Sequence, residues 1–286
     1  MPQQFVIETA LSGVGLTSPL KRFLRLPEFR ACLALSLGTF HTFGLAIPAD
    51  VPAPRVEEQQ PAHPEQLLDS IARLLKPDWT GQFRQVPPSP PESRAQIAFA
   101  IGSVLAEGHL AAHAEDSQHS RNVGKDLLLL AKPIGAHAEM IEHSRSLSDY
   151  AEKHHWGLLS QELESVAADL IKALSKNGDT QLASLIQLGK WVRVLEIAAS
   201  ILHLNYSESA AQILQQPVWK MGFSSAHLSA LTTIDQDPAI SPVQTRLHQI
   251  QELLKEHSTL TPTEIQIRTL SETAHAALLD ILSKHN

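Results

Sequence analysis

The sequence predicts an all-α protein, an irregular bundle of six to eight helices around a central buried helix near residues 180–204. Three observations indicate this class. Glycine is scarce, with 13 among 286 residues, whereas the helix-favouring residues Ala, Leu, Gln and Glu are plentiful. Apolar residues recur at three- and four-residue spacing along most of the chain, and no stretch shows the alternation of a strand. No segment repeats with a fixed period, so a solenoid is not predicted.

The stretch Asp179–Leu204 is the predicted centre of the bundle. Asp179 follows Asn177-Gly178, a helix-stop signal, and can cap a helix that no proline interrupts. The apolar residues of its second half cover about 200° of the circumference, which is more than one packed face requires. The polar residues of this half form a narrow seam: Arg193, Glu196, Ser200 and His203.

Two interpretations of this seam stay open. Arg193 and Glu196 are three residues apart and can form an ion pair. The simpler interpretation is one solvated strip on a mostly buried helix. The other is a polar site inside the bundle, which would make Arg193, Glu196 and His203 the candidate functional site.

The N-terminal region has the features of an export signal. Basic residues within 21–30 precede the uncharged segment 31–46, which ends in the small-x-small pattern Gly44-Leu45-Ala46. We expect residues 1–46 to be a signal peptide with a long leader, which a downstream translation start would explain. Cleavage near Ala46 would leave a periplasmic or secreted protein that meets the membrane only through this signal. The alternatives are a buried helix or a retained anchor, although the segment is short for a membrane span.

Charge and cysteine content argue against several classes of function. The formal net charge is -7, and it becomes -9 without the first 46 residues, which carry four basic and two acidic side chains. An acidic chain without a basic cluster argues against nucleic acid as a partner. Cys32 is the only cysteine, so the mature chain would contain no disulfide, cysteine zinc site or catalytic cysteine. The sequence Gly222–Ala226 lacks the preceding strand and the second glycine of a nucleophile elbow.

Four segments follow the predicted signal. Residues 47–64 are Pro-rich and should form an extended tether, and residues 65–91 combine a short helix, Glu65–Lys76, with a Pro-rich strap. Residues 92–240 form the main helical bundle, and residues 241–286 form a C-terminal helical hairpin packed on it as a separate layer. The predicted helices of the main bundle are Glu92–His113, Asp116–Lys132, Ala136–His143, Ser146–Lys153, Trp156–Lys176, Asp179–Leu204 and Asn205–Gln216.

Neighbours of the central helix can be predicted from apolar content. The helices that begin at Glu92, Asp116 and Trp156 are apolar enough to surround it, and Gly102 and Gly108 in the first of them would allow close contact. In the hairpin, two capping-box signals with proline at the first helical position predict where the helices begin. These signals are Ser241-Pro242-Val243-Gln244 and Thr261-Pro262-Thr263-Glu264.

Residues 93–200 resemble a group of exported, all-helical bacterial proteins to which no activity is attached. The features that carry the resemblance are Arg94, the helix with Gly102 and Gly108, Gly124-Lys125-Asp126, Leu130-Ala131-Lys132, Glu162-Leu163, and Leu188-Gly189 followed by Trp191. The resemblance implies export and a helical bundle. It carries no activity, cofactor or site residue.

Histidine is the one enriched residue type that could carry chemistry, with 14 in residues 47–286. His109 and His113 are four residues apart, which places two imidazoles on one helical face at a spacing that can chelate a transition metal. A single pair with this spacing is about what chance would give, so surface histidines are the simpler interpretation.

Two Glu-x-x-His pairs match the motif that di-iron helical bundles use twice. The pairs are Glu152 with His155 and Glu272 with His275. About one such pair is expected by chance in a chain of this composition. The candidates for the remaining glutamates of such a centre are Glu107, Glu139 and Glu196.

These observations favour a non-catalytic binding, scaffold or sensing module of the bacterial cell envelope. Its expected partner is a protein or a small molecule, and no cofactor is predicted. The alternative is a metal-binding or di-metal bundle that uses the His and Glu residues named above. A third class, an acidic helical enzyme whose site leaves no sequence motif, also stays open.

Overall fold

The computed structural model describes residues 63–84, 91, 93–224, 228, 240–257 and 259–282, all within one unit that spans Gln59–Asn286. The predicted signal peptide and residues 47–62 of the tether lie outside these described residues. The described residues form ten α-helices, two 3-10 helices at Thr80–Gln82 and Gln212–Gln215, and no strand. The α-helices are α1 (Gln66–Leu74), α2 (Arg94–His113), α3 (Ser117–Ala131), α4 (His137–Glu152), α5 (Trp156–Lys176), α6 (Thr180–Leu204), α7 (Glu208–Ala211), α8 (Val218–Gly222), α9 (Ile240–His257) and α10 (Glu264–Leu282).

The all-α prediction is confirmed, and α6 is the buried central helix that the sequence predicts. From Leu188 to Ala199 every residue of α6 is buried. The longest contact of the bundle is between α6 and α2. By length and composition, α2 is the one described helix that could cross a membrane, and the bundle buries that stretch completely.

Glycine allows α2 and α6 to approach closely. A Cβ atom on Gly102 of α2 would lie 1.9 Å from the carbonyl oxygen of Ile186, and one on Gly189 of α6 would lie 2.1 Å from that of Phe99. Both contacts are with backbone, which cannot move aside as a side chain can. Gly108, in contrast, faces side-chain atoms of Leu163 on α5.

The neighbours of α6 differ from the prediction at one position. The predicted contacts with α2 and α5 are present, but α3 packs mainly between α2 and α4, and α10 takes the third place beside α6. The apolar stripe of α10, from Ile267 to Ile281, is fully buried. The expectation of a C-terminal hairpin in a separate layer is therefore wrong, because α10 belongs to the core and α9 packs against it.

Helix boundaries follow side-chain caps, not all of them where the sequence pattern placed them. Ser93 and Gln96 form a capping box at the start of α2. Asp179 does not cap α6, because its carboxylate accepts a hydrogen bond of 2.7 Å from Arg94. The cap of α10 is Thr263, whose hydroxyl accepts from the backbone N–H of Gln266, two residues after the predicted cap.

Two further boundaries correct the prediction. Residues 137–152 form the single helix α4, not two short helices, because Met140, Leu147 and Ala151 share one buried stripe and no helix breaker interrupts it. α9 begins at Ile240, one residue before the predicted Ser241 cap.

Candidate functional site

The polar seam of α6 lies inside the molecule. Arg193 and Glu196 are 2 % and 5 % exposed, so the interpretation as a solvated strip is wrong for these two residues. They form the predicted ion pair, with Arg193 Nη1 2.5 Å from Glu196 Oε2. His203 is not part of this site, because it lies two turns further along α6, where its nearest carboxylate, Glu264, is 3.7 Å away.

Arg193 is the centre of a buried ionic network. Its Nε donates to Glu107 Oε1 on α2 at 2.9 Å, and its Nη2 lies 2.7 Å from the same oxygen. Its Nη2 also donates to the backbone carbonyl of Gln82. All three guanidinium nitrogens are therefore paired, as a buried charge requires. We call Arg193, Glu107 and Glu196 the Arg193 network.

Residues 78–84, which we call the strap, lie across this network. Asp78 starts the 3-10 turn, because its carboxylate accepts hydrogen bonds from Thr80 and from the backbone of Gly81. Trp79 stacks on His113 of α2 with ring centroids 4.7 Å apart, and Phe83 stacks on a histidine of α3. The Phe83–His119 pair is nearly parallel, with a centroid distance of 3.9 Å.

Arg84 ends the strap and connects it to the last helix. Its Nη2 donates to Glu196 Oε1 and also contacts His275 Nδ1 of α10. Burial lowers the pKa of Arg84 below its ordinary value; the Glu196 carboxylate opposes this shift, and the charge of Arg193 adds to it. The Arg84 guanidinium stays charged at neutral pH.

A cleft opens between the strap and α10. Its volume is about 460 Å³, within the range of small-molecule sites. The hydroxyls of Ser200 and Ser271 line it and make no hydrogen bond within the described part of the chain. The residues around it are Gly81, Gln82, Phe83, Arg84, Arg193, Glu196, Ser200, Ser271, Glu272 and His275. Glu196, at the floor, accepts from His275 Nδ1 at 2.7 Å if that nitrogen carries the proton.

A second ionic network lies one turn earlier on α6. Lys190 Nζ is 2.8 Å from Glu65 Oε2 and 2.7 Å from Glu164 Oε1. His109 Nε2 lies 2.7 Å from the same Glu164 oxygen, and His63 Nδ1 lies 2.9 Å from each carboxylate. Burial alone would raise the pKa of Glu164, but His109 and the charge of Lys190 outweigh it and hold that pKa well below its usual range.

The structure separates the histidines that the sequence proposes as one metal chelate. His109 Nε2 contacts Glu164, whereas His113 Nε2 lies 3.3 Å from Asp69 Oδ1. Burial lowers the pKa of His113, and Asp69 partly opposes this shift. The two imidazoles are thus engaged by different carboxylates.

The Glu-x-x-His pairs also lie in different surroundings. Glu152 ends α4 and His155 precedes α5, both exposed. Glu272 and His275 line the cleft. Among the described residues, one group of three potential ligands has its atoms within 4.8 Å of one another, and it is a group that the sequence did not suggest: His63, Glu65 and Glu164.

Sequence reasoning missed Lys190, Glu107, Arg84 and Glu65 as site residues. A signal existed for the first two, because an ionisable residue on a helix that is apolar on every side must be buried and needs a partner. Arg84 and Glu65 gave no signal. They reach α6 from irregular segments far away in the chain, and no periodicity describes such contacts.

Comparison with known proteins adds no name to this site. The chain matches no family model, and no curated protein or solved structure matches it.

Proposed function

We propose that this protein is a non-catalytic binding or sensing module of the bacterial cell envelope, and that its ligand site is the cleft between the strap and α10. The observation that carries the proposal is the cleft itself, with free Ser200 and Ser271 hydroxyls beside a fully paired ionic floor. Such a lining suits a small polar ligand, because unpaired donors and acceptors in a concave site give orientation and specificity.

The pairing of the charges supports binding without catalysis. The floor of the cleft contains Arg193, Glu107 and Glu196, and each is held in ion pairs by at least two contacts with other groups or with a guanidinium fork. A guanidinium fixed between carboxylates is a rigid recognition element. Ligand binding would be reported to the outside by the strap, which touches both the floor and the mouth.

The site can be tested by filling it. In the full chain, Ser271→Phe would place a ring in the cleft, and Ser165→Phe on the exposed face of α5 is the matched control. Thermal-shift and calorimetric titrations would use amino acids, monosaccharides, polyamines and short peptides. We expect a compound that stabilises the wild type and Ser165→Phe but not Ser271→Phe. A ligand that stabilises Ser271→Phe equally would remove the cleft as the site.

The envelope location rests on the sequence of residues 1–46. We expect the protein recovered from the periplasm to begin after Ala46, as read by N-terminal sequencing. Replacing Ala46 by Tyr, which a small-residue cleavage site does not accept, should make the precursor accumulate. Intact precursor in the cytoplasmic fraction of wild-type cells would contradict the proposal.

A metal-binding function is the alternative, and the approach of His63, Glu65 and Glu164 is the observation in its favour. Lys190 argues against it, because its ammonium group lies between the two carboxylates where a cation would sit. Elemental analysis of the purified protein, with melting before and after chelator, decides between them. Stoichiometric bound metal whose removal lowers the melting temperature would favour the alternative.

A further inference from the structure

The floor of the cleft already has an occupant that belongs to the chain. Glu196 is held from inside the bundle by Arg193, which uses one carboxylate oxygen, Oε2. The other oxygen, Oε1, faces the strap and receives Arg84 Nη2 together with the His275 ring. One buried carboxylate thus binds one guanidinium as part of the core and a second one as part of the cleft wall.

The two guanidiniums differ in how firmly they are held. The Arg193 side chain is 2 % exposed, lies on a continuous helix and is paired at all three nitrogens. The Arg84 side chain is 18 % exposed, ends a short strap and reaches its partners through Nη2 within the described residues. Burial lowers the pKa of Arg84, so its desolvation is only partly offset by its partners. Arg84 is therefore the exchangeable one of the pair.

Charge at the site indicates what could replace Arg84. With Arg84 absent, the floor would contain Arg193 and the two carboxylates of Glu107 and Glu196, an excess of one negative charge. Glu272 adds another carboxylate to the lining. A small cation would restore the balance, and the net charge of -7 on the chain attracts cations over a longer range.

We propose that the cleft is a receptor for a guanidinium group and that Arg84 is its internal ligand. The inference rests on the proposed function of the cleft and names the chemical class of its ligand. A free guanidino compound and the arginine side chain of a peptide share this chemistry. Either one would displace Arg84 from Glu196 Oε1, and the strap would be released as the ligand enters.

Chemical rescue tests the proposal. In the full chain Arg84→Ala, methylguanidinium should refill the vacated position, whereas methylammonium and sodium chloride at equal ionic strength should not. The matched control is Arg94→Ala, which removes an arginine paired with Asp179 outside the cleft. Because an internal occupant weakens apparent affinity by the fraction of time it fills the site, we expect methylguanidinium to bind Arg84→Ala about tenfold or more tighter than the wild type.

Melting temperature and calorimetry provide the readout. The proposal is overturned if methylguanidinium stabilises Arg84→Ala no more than Arg94→Ala, or if methylammonium serves equally well. Arg84→Lys, which keeps the charge but not the planar fork, should show an intermediate gain and replaces Arg84→Ala if that variant does not fold. Blocked arginine amide and an arginine-containing peptide, compared with free arginine, distinguish the two sources of the group.

The outcome also separates this inference from the function of the cleft. A neutral ligand that binds the wild type, loses its affinity in Ser271→Phe and ignores Arg84→Ala would overturn the guanidinium class alone. A guanidinium effect that persists in the double variant Arg84→Ala, Ser271→Phe would show that the cleft is not where the group binds, and both proposals would fail together.

Discussion

Arg193 is an ionised side chain in the middle of an apolar helix, and its position is tolerable only because three groups meet it there. Glu107 comes from α2, Glu196 from one turn further along α6, and the Gln82 carbonyl from the strap. Removing water from these charges is costly, and their mutual contacts offset that cost only while the set is complete.

Arg193→Ala should therefore destabilise the protein strongly, by about 3–5 kcal/mol, because two buried carboxylates lose their counter-ion. Urea unfolding followed by circular dichroism measures the free energy. The control is Arg145→Ala, whose i,i+3 pair with Glu142 is exposed and should contribute about 0.5 kcal/mol or less. Equal losses for the two variants would mean that the Arg193 network does not form as described.

Glu164 makes stability depend on pH at the acid end. Its pKa is held below the ordinary value of 4.5 in the folded state, so the unfolded chain takes up the proton first. The stability that Glu164 contributes is therefore present above about pH 4.5 and is lost as pH falls toward the folded pKa. Glu164→Gln should unfold with a free energy that changes less between about pH 5 and 3 than that of the wild type. Parallel curves would contradict this assignment.

At the scale of elements, the contact of α2 with α6 depends on two glycines. Gly102 faces the backbone of Ile186, and Gly189 faces that of Phe99. Any side chain at either position would push the helices apart. A residue chosen for helix propensity alone would be alanine, so glycine here reflects packing between helices.

Gly102→Ala should destabilise the bundle by about 1–3 kcal/mol, as overpacking in a core does. Gly157 on α5 is the control, because a Cβ atom there would meet nothing within 4 Å. Gly157→Ala should be neutral or stabilising by up to about 1 kcal/mol, since alanine is the better helix former. Thermal melts of both variants check the opposite signs.

Sequence reasoning predicted elements well where local signals and burial agree. The helix from Trp156 to Lys176 has the predicted bounds, because its apolar stripe and its stop signal are both local. Asp179 was expected to cap α6, but a tertiary pairing with Arg94 takes its carboxylate. Local rules could not resolve that competition. Nor could they place α10 in the core, since amphipathic helices do not specify which neighbour they cover.

At the scale of the whole molecule, α6 collects groups that lie far apart in the chain. Its ion pair of Arg193 with Glu196 was predictable, because a three-residue spacing on one helix fixes it. Arg84 and His275 were not predictable as partners, since they are 112 and 79 positions away from Glu196. The site is thus half a property of one helix and half a property of the closed bundle.

The complete burial of α2 has a consequence for secretion. If the chain is exported, it enters the translocation channel before its helices can shield one another, and α2 then resembles a stop-transfer segment. Glu107 opposes lateral release into lipid, because a charged side chain within a spanning segment is costly there. Glu107→Leu should consequently move part of the protein into a carbonate-resistant membrane fraction, whereas Glu139→Leu on the exposed face of α4 should not. The carboxylate that closes the Arg193 network would thereby also let the unfolded chain pass the membrane.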